Sequence, residues 1–270
     1  MTDTPPAAGL PTLARLESLC AAHGGIEAGY LAQHYRRIAS TWQAFSDGPR
    51  GQQRGQLLDI GSHWLHQTLV WRLNGFEVTA VDVPETIDTG HVQGLAAEHG
   101  ISLCRNDSLE HPAGLAALAD DSQDLILMSE VIEHLAFNPV TLWRELYRLL
   151  RPGGVLIVTT PNYYALRGRA WNISRFLRGH GGGLSVDEIL ATPTMGHHWR
   201  EFSLAELRRY FQLLSPDWRI ERALRLPHRY RRLAWLLDPV ERLLPPLRDQ
   251  IYMEIGMPTK AVGITAQPRW

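Results

Sequence analysis

From Gln56 onward the sequence alternates short, largely apolar runs with amphipathic stretches, and this alternation restricts the possible fold more than any other feature. Leu57 to Ile60, Glu77 to Asp82, Ile101 to Cys104, Leu125 to Met128 and Val155 to Thr159 have the length and composition of strands. Gln67 to Leu73, Thr89 to His99 and Thr141 to Leu150 carry helical spacing between them. Strand and helix in strict alternation predict an α/β domain with a mostly parallel sheet and helices on its faces. Arg151-Pro152-Gly153-Gly154 predicts a helix stop and a turn before the fifth strand. Further on, Ser203 with Glu206 forms a capping box that starts a helix running to Phe211. Trp218 to Leu226 and Gln250 to Gly256 supply a sixth and a seventh strand.

Ahead of this pattern, residues 1–55 read as a tail and a helical cap. Leu13, Leu16, Leu19 and Cys20 mark one helix; Tyr30, Leu31, His34, Tyr35, Ile38 and Trp42 mark a second, and Ser46 to Gly55 is a turn-rich linker. Residues 56–270 form the main domain, with an excursion over about 163–200 and a helical insert over about 228–248. A helix is expected within the excursion, from Ala165 to Leu177. At 270 residues, 44% of them hydrophobic, the chain can bury one sizeable core or one core plus a small accessory layer, and a disordered or fibrous class is excluded. Twenty-seven basic against 28 acidic residues leave no global field to recruit nucleic acid or an anionic membrane. Cys20 and Cys104 form no C-x-x-C pair, so neither a disulfide scaffold nor a cysteine-held zinc is indicated. With no apolar run approaching the roughly 18 residues of a spanning helix, and no basic-then-apolar start, the expectation is a cytoplasmic protein without a membrane span.

The chemistry-bearing residues gather at the predicted carboxyl ends of the strands, where open α/β sheets bind ligands. Leu57 to Ser62 (LLDIGS) puts Asp59 and Gly61 where strand one turns sharply into a helix. Asp82 ends strand two, 21 residues after Gly61, a spacing suited to a carboxylate that accepts both ribose hydroxyls of an adenosine-containing ligand. No G-x-x-x-x-G-K-[ST] is present, which excludes a P-loop, and without a full G-x-G-x-x-G a dinucleotide is poorly served.

LLDIGS, AVDV (Ala80 to Val83), Asp107 after strand three, DLILMSEVIEHL (Asp124 to Leu135) and LLRPGGVLIVTTPN (Leu149 to Asn162), in that order, resemble the class I S-adenosylmethionine-dependent methyltransferases over Gln56 to Gly256. The resemblance implies a Rossmann-like seven-stranded sheet with its last strand antiparallel. It implies S-adenosylmethionine contacts at Asp59, Gly61, Ser62, His63 and Ser129, with Asp82 on the ribose, Val83 against the adenine and Asp107 near the adenine amino group. One departure stands out: His63 and Leu65 occupy positions where the family's loop carries further glycines. Side chains there restrict the backbone, so either the loop has a compensating shape or cofactor binding is weakened.

Glu130, Glu133 and His134 (EVIEH) stand at i, i+3 and i+4, a spacing that gathers them on one side of a helical turn just past strand four. Gly196 to Ser203 (GHHWREFS) adds His197 and His198. The E-x-x-E-H with a later histidine resembles Hen-type small-RNA 2′-O-methyltransferases and ubiquinone-pathway O-methyltransferases, which hold substrate oxygens on a divalent ion. That resemblance implies Glu130, Glu133, His134 and His198 as ligands to Mg²⁺, Mn²⁺, Fe²⁺ or Zn²⁺, with His197 the alternative to His198. The other reading keeps the motif without a metal and packs His134 near the cofactor. His134 and His198, or a metal they hold, are the candidates for activating an acceptor hydroxyl.

Among the other features, His34 and Tyr35 serve as lid or as packing aromatics, and Tyr163 and Tyr164 as substrate contacts or anchors. Arg200 to Arg248 holds eleven arginines and six acidic residues, interleaved with Trp218, Tyr230 and Trp235. That stretch is a binding surface for phosphates, glycans, nucleic acid or a lipid surface, or else a solvated helix. Its apolar face (Leu233, Leu236, Leu237, Val240, Leu243) then packs on the sheet or on another subunit of a homo-oligomer. The expected function is O-methylation of a small-molecule hydroxyl, on a sugar, phenol or other natural product. RNA 2′-O-methylation and a non-catalytic, methyltransferase-like scaffold are the alternatives.

Overall fold

Strands buried on both faces need apolar residues at consecutive positions, and the central strands of this chain have them. The structure is a computed structural model that describes residues 9–24, 29–165, 177, 186–191, 196–227 and 234–268. In chain order its elements are α1 (Leu13–Ala21), α2 (Tyr30–Ser46), β1 (Gly55–Ile60), α3 (His66–Leu73), β2 (Phe76–Asp82), α4 (Pro84–Ile87), α5 (Gly90–His99), β3 (Ser102–Arg105), β4 (Gln123–Ser129), α6 (Val140–Leu149) and β5 (Leu150–Pro161). They are followed by α7 (Val186–Ala191), α8 (Leu204–Leu214), β6 (Arg219–Leu226), α9 (Ala234–Leu243) and β7 (Gln250–Met257).

The seven strands form one sheet in the order β3-β2-β1-β4-β5-β7-β6. Strands β1 to β5 run parallel, and β7 lies antiparallel between β5 and β6. The chain reverses its direction of growth between β1 and β4, so a crevice opens at their carboxyl ends. Successive residues of a strand face opposite sides: Leu57 packs with Leu16, Trp42, Phe45 and Trp71 on one face, and Leu58 packs with Trp143, Leu146 and Phe211 on the other. The cap helices α1 and α2 thus share the core of the first face. Trp42 and Trp71 meet edge to face at 5.1 Å, with Phe45 4.8 Å from Trp71. Replacing a buried ring of this kind with alanine costs about 3–5 kcal/mol, so the cap is bound firmly to the sheet. No helix among the described residues is long and apolar enough to cross a membrane.

Ser203 caps α8 and the Glu206 side chain reaches back to the Ser203 amide, forming the capping box the sequence predicts. Two local expectations are corrected. Arg151 to Gly154 does not form a turn outside the strand: β5 already begins at Leu150, paired with Gln123, and the Pro-Gly-Gly segment is absorbed at a register shift, with Gly153 at φ +82°. Nor do Glu130, Glu133 and His134 share a helical turn. Glu130 lies just past β4 at φ +57°, and only Ile132–His134 forms a single 3₁₀ turn. The helix expected between Ala165 and Leu177 and the start of the basic insert lie outside the described residues.

Candidate active site

A cavity of about 1030 Å³ opens at the carboxyl ends of β1, β2 and β4, and α2 contributes one of its walls. Gly61, His63, Asp82, Val83, Asp107 and Ser129 line it on the side expected for a cofactor, and Glu130, His134 and His198 line it elsewhere. Asp59, Ser62 and Glu133 are buried and do not line it.

The loop after β1 is shaped by left-handed backbone. Gly61 sits at φ +74°, and a Cβ there would lie 2.5 Å from Val131 Cγ2. His63 at +48° and Leu65 at +63° adopt similar conformations without being glycine, each a strain of about 1–3 kcal/mol. The Gly61 and Ser62 amides donate to the Val81 carbonyl at 2.9 and 3.2 Å, Leu65 is fully buried, and the His63 amide donates to Asp82 Oδ2 at 2.7 Å. Asp82 Oδ1 accepts from the Val83 amide at 2.8 Å. Two backbone donors therefore orient this carboxylate, and each oxygen keeps a lone pair for a ligand. Beneath the loop, Asp59 accepts from Thr68 Oγ1 at 2.6 Å. Burial pushes the Asp59 carboxyl up to about 7, with Thr68 opposing and the charge of Asp82 adding to the shift. His66 is pushed down to about 3 by burial and by the neighbouring His63, His91, His34 and Arg37.

On the other side, the Glu130 amide donates to the Thr159 carbonyl at 2.9 Å, while its Oε1 accepts from Thr159 Oγ1 at 3.2 Å and Gln250 Nε2 at 3.3 Å. Glu133 is completely buried and accepts from Thr160 Oγ1 at 2.9 Å. Burial, and after it the charge of Glu130, hold its carboxyl well above the usual range. The Glu133 carbonyl accepts from the Trp199 and Arg200 amides at 2.8 and 3.3 Å, which docks the His197–His198 segment against the 3₁₀ turn.

His134 Nδ1 lies 3.0 Å from the His197 carbonyl. A carbonyl can only accept, so Nδ1 carries the proton and the lone pair of the neutral ring is on Nε2. The His134 and His198 rings meet edge to face at 4.6 Å. One donor atom each from Glu133, His134 and His198 lie within 4.8 Å of one another. Glu130 stands outside this group, and His197 enters the arrangement through its carbonyl.

Sequence reasoning missed Tyr30, Gln33 and Arg37 as cavity residues. Arg37 places its charge where it opposes the upward shift of Glu133 and lowers His63, and its buried Nε has no hydrogen-bond partner among the described residues. A signal existed: Tyr30, His34 and Arg37 stand at i, i+4 and i+7, a stripe on one face of α2. Tyr163 and Tyr164 are exposed and do not line the cavity.

The comparisons with known proteins agree with this geometry. The ubiquinone biosynthesis O-methyltransferase of Parvibaculum lavamentivorans is 30% identical over 150 residues, 54% of this chain and 52% of that protein. The malonyl-[acyl-carrier protein] O-methyltransferase of Serratia marcescens is 34% identical over 119 residues, 43% of each. The chain spans about half the length of the curated relatives it matches. Among solved structures, a chain from the complex of the Haloferax volcanii Trm112 methyltransferase activator with a methyltransferase superposes with a TM-score of 0.57 at 13% identity, covering 91% of this chain and 97% of that one. An S-adenosylmethionine-dependent methyltransferase from Mesorhizobium loti gives 0.51 at 17% identity, over 74% and 90%. These two show a common fold. A family profile described as a methyltransferase domain matches residues 30–223. Because that match runs from α2 into β6 and takes in every wall of the cavity, the chain belongs to the class I S-adenosylmethionine-dependent methyltransferases.

Proposed function

We propose that this protein transfers the methyl group of S-adenosylmethionine to a hydroxyl oxygen of a small molecule, such as a sugar, a phenol or another natural product. The reaction breaks the sulfonium S–CH₃ bond, forms an O–CH₃ bond and releases the hydroxyl proton, leaving S-adenosylhomocysteine and a methyl ether. Asp82 accepts the ribose hydroxyls with the lone pairs that its two backbone donors leave open. Val83 and Asp107 face the adenine, and the turn at Gly61, Ser62 and His63, with Ser129, receives the methionine end. Arg37 supplies a cation for the methionine carboxylate.

The observation that carries the hydroxyl acceptor is the bond between His134 Nδ1 and the His197 carbonyl. It leaves Nε2 as the basic nitrogen of a cavity-lining ring, which suits it to take up the hydroxyl proton. Both O-methyltransferase relatives support transfer to an oxygen acceptor, although the malonyl group named for one of them offers a carboxylate rather than a hydroxyl.

Glu133, His134 and His198 also fit a divalent cation: one carboxylate and two imidazoles with donor atoms within 4.8 Å, and a Glu133 oxygen buried without a hydrogen bond. A bound Mg²⁺, Mn²⁺, Fe²⁺ or Zn²⁺ would polarise the acceptor oxygen and ease loss of its proton.

The test is calorimetric titration with S-adenosylmethionine, followed by transfer from the methyl-labelled cofactor to a panel of phenols, sugars and RNA. Saturable binding and labelled methyl ethers of small acceptors are expected. No heat at millimolar cofactor would leave only the scaffold reading. Labelling of RNA with a steep salt dependence would move the acceptor to a ribose 2′-hydroxyl. Turnover lost to a chelator and restored by one divalent ion assigns the triad to a metal, and turnover indifferent to the chelator assigns the proton to His134 directly.

A further inference from the structure

The glycine-poor loop after β1 and the cap helix α2 meet in a cluster of tilted and edge-on rings. Tyr30, the first residue of α2, lies 5.3 Å from His63, 4.8 Å from Trp64 and 4.3 Å from His34, centroid to centroid. His63 and Trp64 are 4.3 Å apart. His63 therefore has a ring neighbour on α2 and another on its own loop.

The backbone of the same residue joins this cluster to the Asp82 side of the cavity. His63 holds φ +48°, which an L side chain rarely adopts, and its amide donates to Asp82 Oδ2 at 2.7 Å. Glycine would reach that angle without steric strain; histidine stays there only when its surroundings over-determine it. The rings of Tyr30 and Trp64 are the neighbours placed to do so, and a loop that relaxed to negative φ would carry the amide away from Asp82.

We propose that Tyr30 is a positioning residue for the cofactor: its ring clamps His63 in the left-handed conformation, and the His63 amide in turn holds the Asp82 carboxylate in its ribose-binding orientation. The cap helix is then a working part of the cofactor site. It supplies by side-chain packing a loop shape that glycine would adopt unaided. This inference rests on Asp82 as the ribose ligand.

A double-mutant cycle on the full chain tests it, with the Kd for S-adenosylmethionine read by calorimetry. Tyr30→Ala is expected to weaken binding about tenfold, or about 1.4 kcal/mol, and Tyr30→Phe, which keeps the ring, by less than about threefold. His63→Gly adopts the loop conformation unaided, so Tyr30→Ala added to it should cost less than about threefold, a clear departure from additivity. In turnover assays, Tyr30→Ala should raise KM for the cofactor and leave kcat at saturation near that of the unmodified protein.

An unchanged Kd in Tyr30→Ala overturns the proposal, as does a full loss in Tyr30→Phe. A tenfold loss that persists in the His63→Gly background also overturns it, because Tyr30 would then act by touching the cofactor itself. If Tyr30→Ala melts without a cooperative transition, Tyr30→Leu takes its place in the same cycle. Absence of binding by the unmodified protein would defeat the cofactor reading together with this one; binding with an additive cycle would defeat this one alone.

Discussion

The two sides of the cavity are built by different means. The side we assign to the cofactor is mostly main chain: the turn at Gly61 to Leu65, the amides that hold Asp82, and left-handed φ angles at His63 and Leu65. The acceptor side is mostly charged or ionisable side chains, brought together from segments far apart in sequence; His134 and the His197 carbonyl that orients it are 63 residues apart.

If the two sides are separable, the largest effect belongs to the acceptor side and leaves the other untouched. His134→Ala should lower kcat by about 10³-fold, within the range for removal of a general base, while the calorimetric Kd for S-adenosylmethionine stays within about twofold. A comparable loss of cofactor affinity would show that the two sides are one unit. The complementary variant, Asp82→Ala, removes the carboxylate that we assign to the two ribose hydroxyls. Loss of hydrogen bonds to a charged acceptor is worth about 1.5–3 kcal/mol, so binding should weaken about 100-fold, with kcat at saturating cofactor little changed. A fall in kcat with no change in Kd would remove Asp82 from the ribose.

The same division governs how far the sequence could be read. Strands β1, β4 and β5 were legible because burial on both faces imposes continuous apolar runs, β2 and β3 because strand and helix alternate around them, and the capping box at Ser203 because its two partners are three residues apart. Arg151 to Gly154 reads locally as a turn, but pairing with β4 draws it into β5. Glu130, Glu133 and His134 have helical spacing, yet the chain leaves β4 at Glu130 in a left-handed conformation, so Glu130 turns to Thr159 and Gln250 and His198 completes the triad. Local spacing cannot register such an exit angle. Tyr30 and Arg37 went unread because the stripe they form with His34 on α2 marks a polar face without showing what that face borders.

Gly61 tests whether the cofactor side depends on its backbone as described. Alanine there must hold φ +74° with its Cβ 2.5 Å from Val131 Cγ2. The expected loss of stability is about 2 kcal/mol, seen as a fall in Tm of about 4–8 °C for a domain of this size. Adding Val131→Ala should recover part of the loss by removing the clashing methyl and leaving only the strained φ. An unchanged Tm in Gly61→Ala would mean that the turn is free to rearrange, and the contrast between a rigid backbone side and an adaptable side-chain side would fail.

The smallest expected effect concerns charge at the centre of the cofactor side. Asp59 is buried beneath the loop, with its carboxyl pushed up to about 7 chiefly by burial, whereas an unfolded aspartate ionises near pH 4. Between those values the folded chain holds a proton that the unfolded chain has released. This contribution to stability is therefore complete below about pH 4 and is lost as pH rises to about 7, by at most about 1.4 kcal/mol per pH unit. Asp59→Asn has no proton to lose. Its unfolding free energy, measured by denaturant titration at pH 5, 6 and 7, should fall less steeply than that of the unmodified protein. Glu133, raised by burial on the acceptor side, contributes a slope of the same sign, and it cancels in the difference between these two proteins. A difference that stays constant from pH 5 to pH 7 would mean that Asp59 is already ionised at pH 5, with the Thr68 hydroxyl enough to stabilise it; the cofactor side would then carry a buried charge at its centre, and the contrast with Glu133 and His134 would lie only in where the charges point.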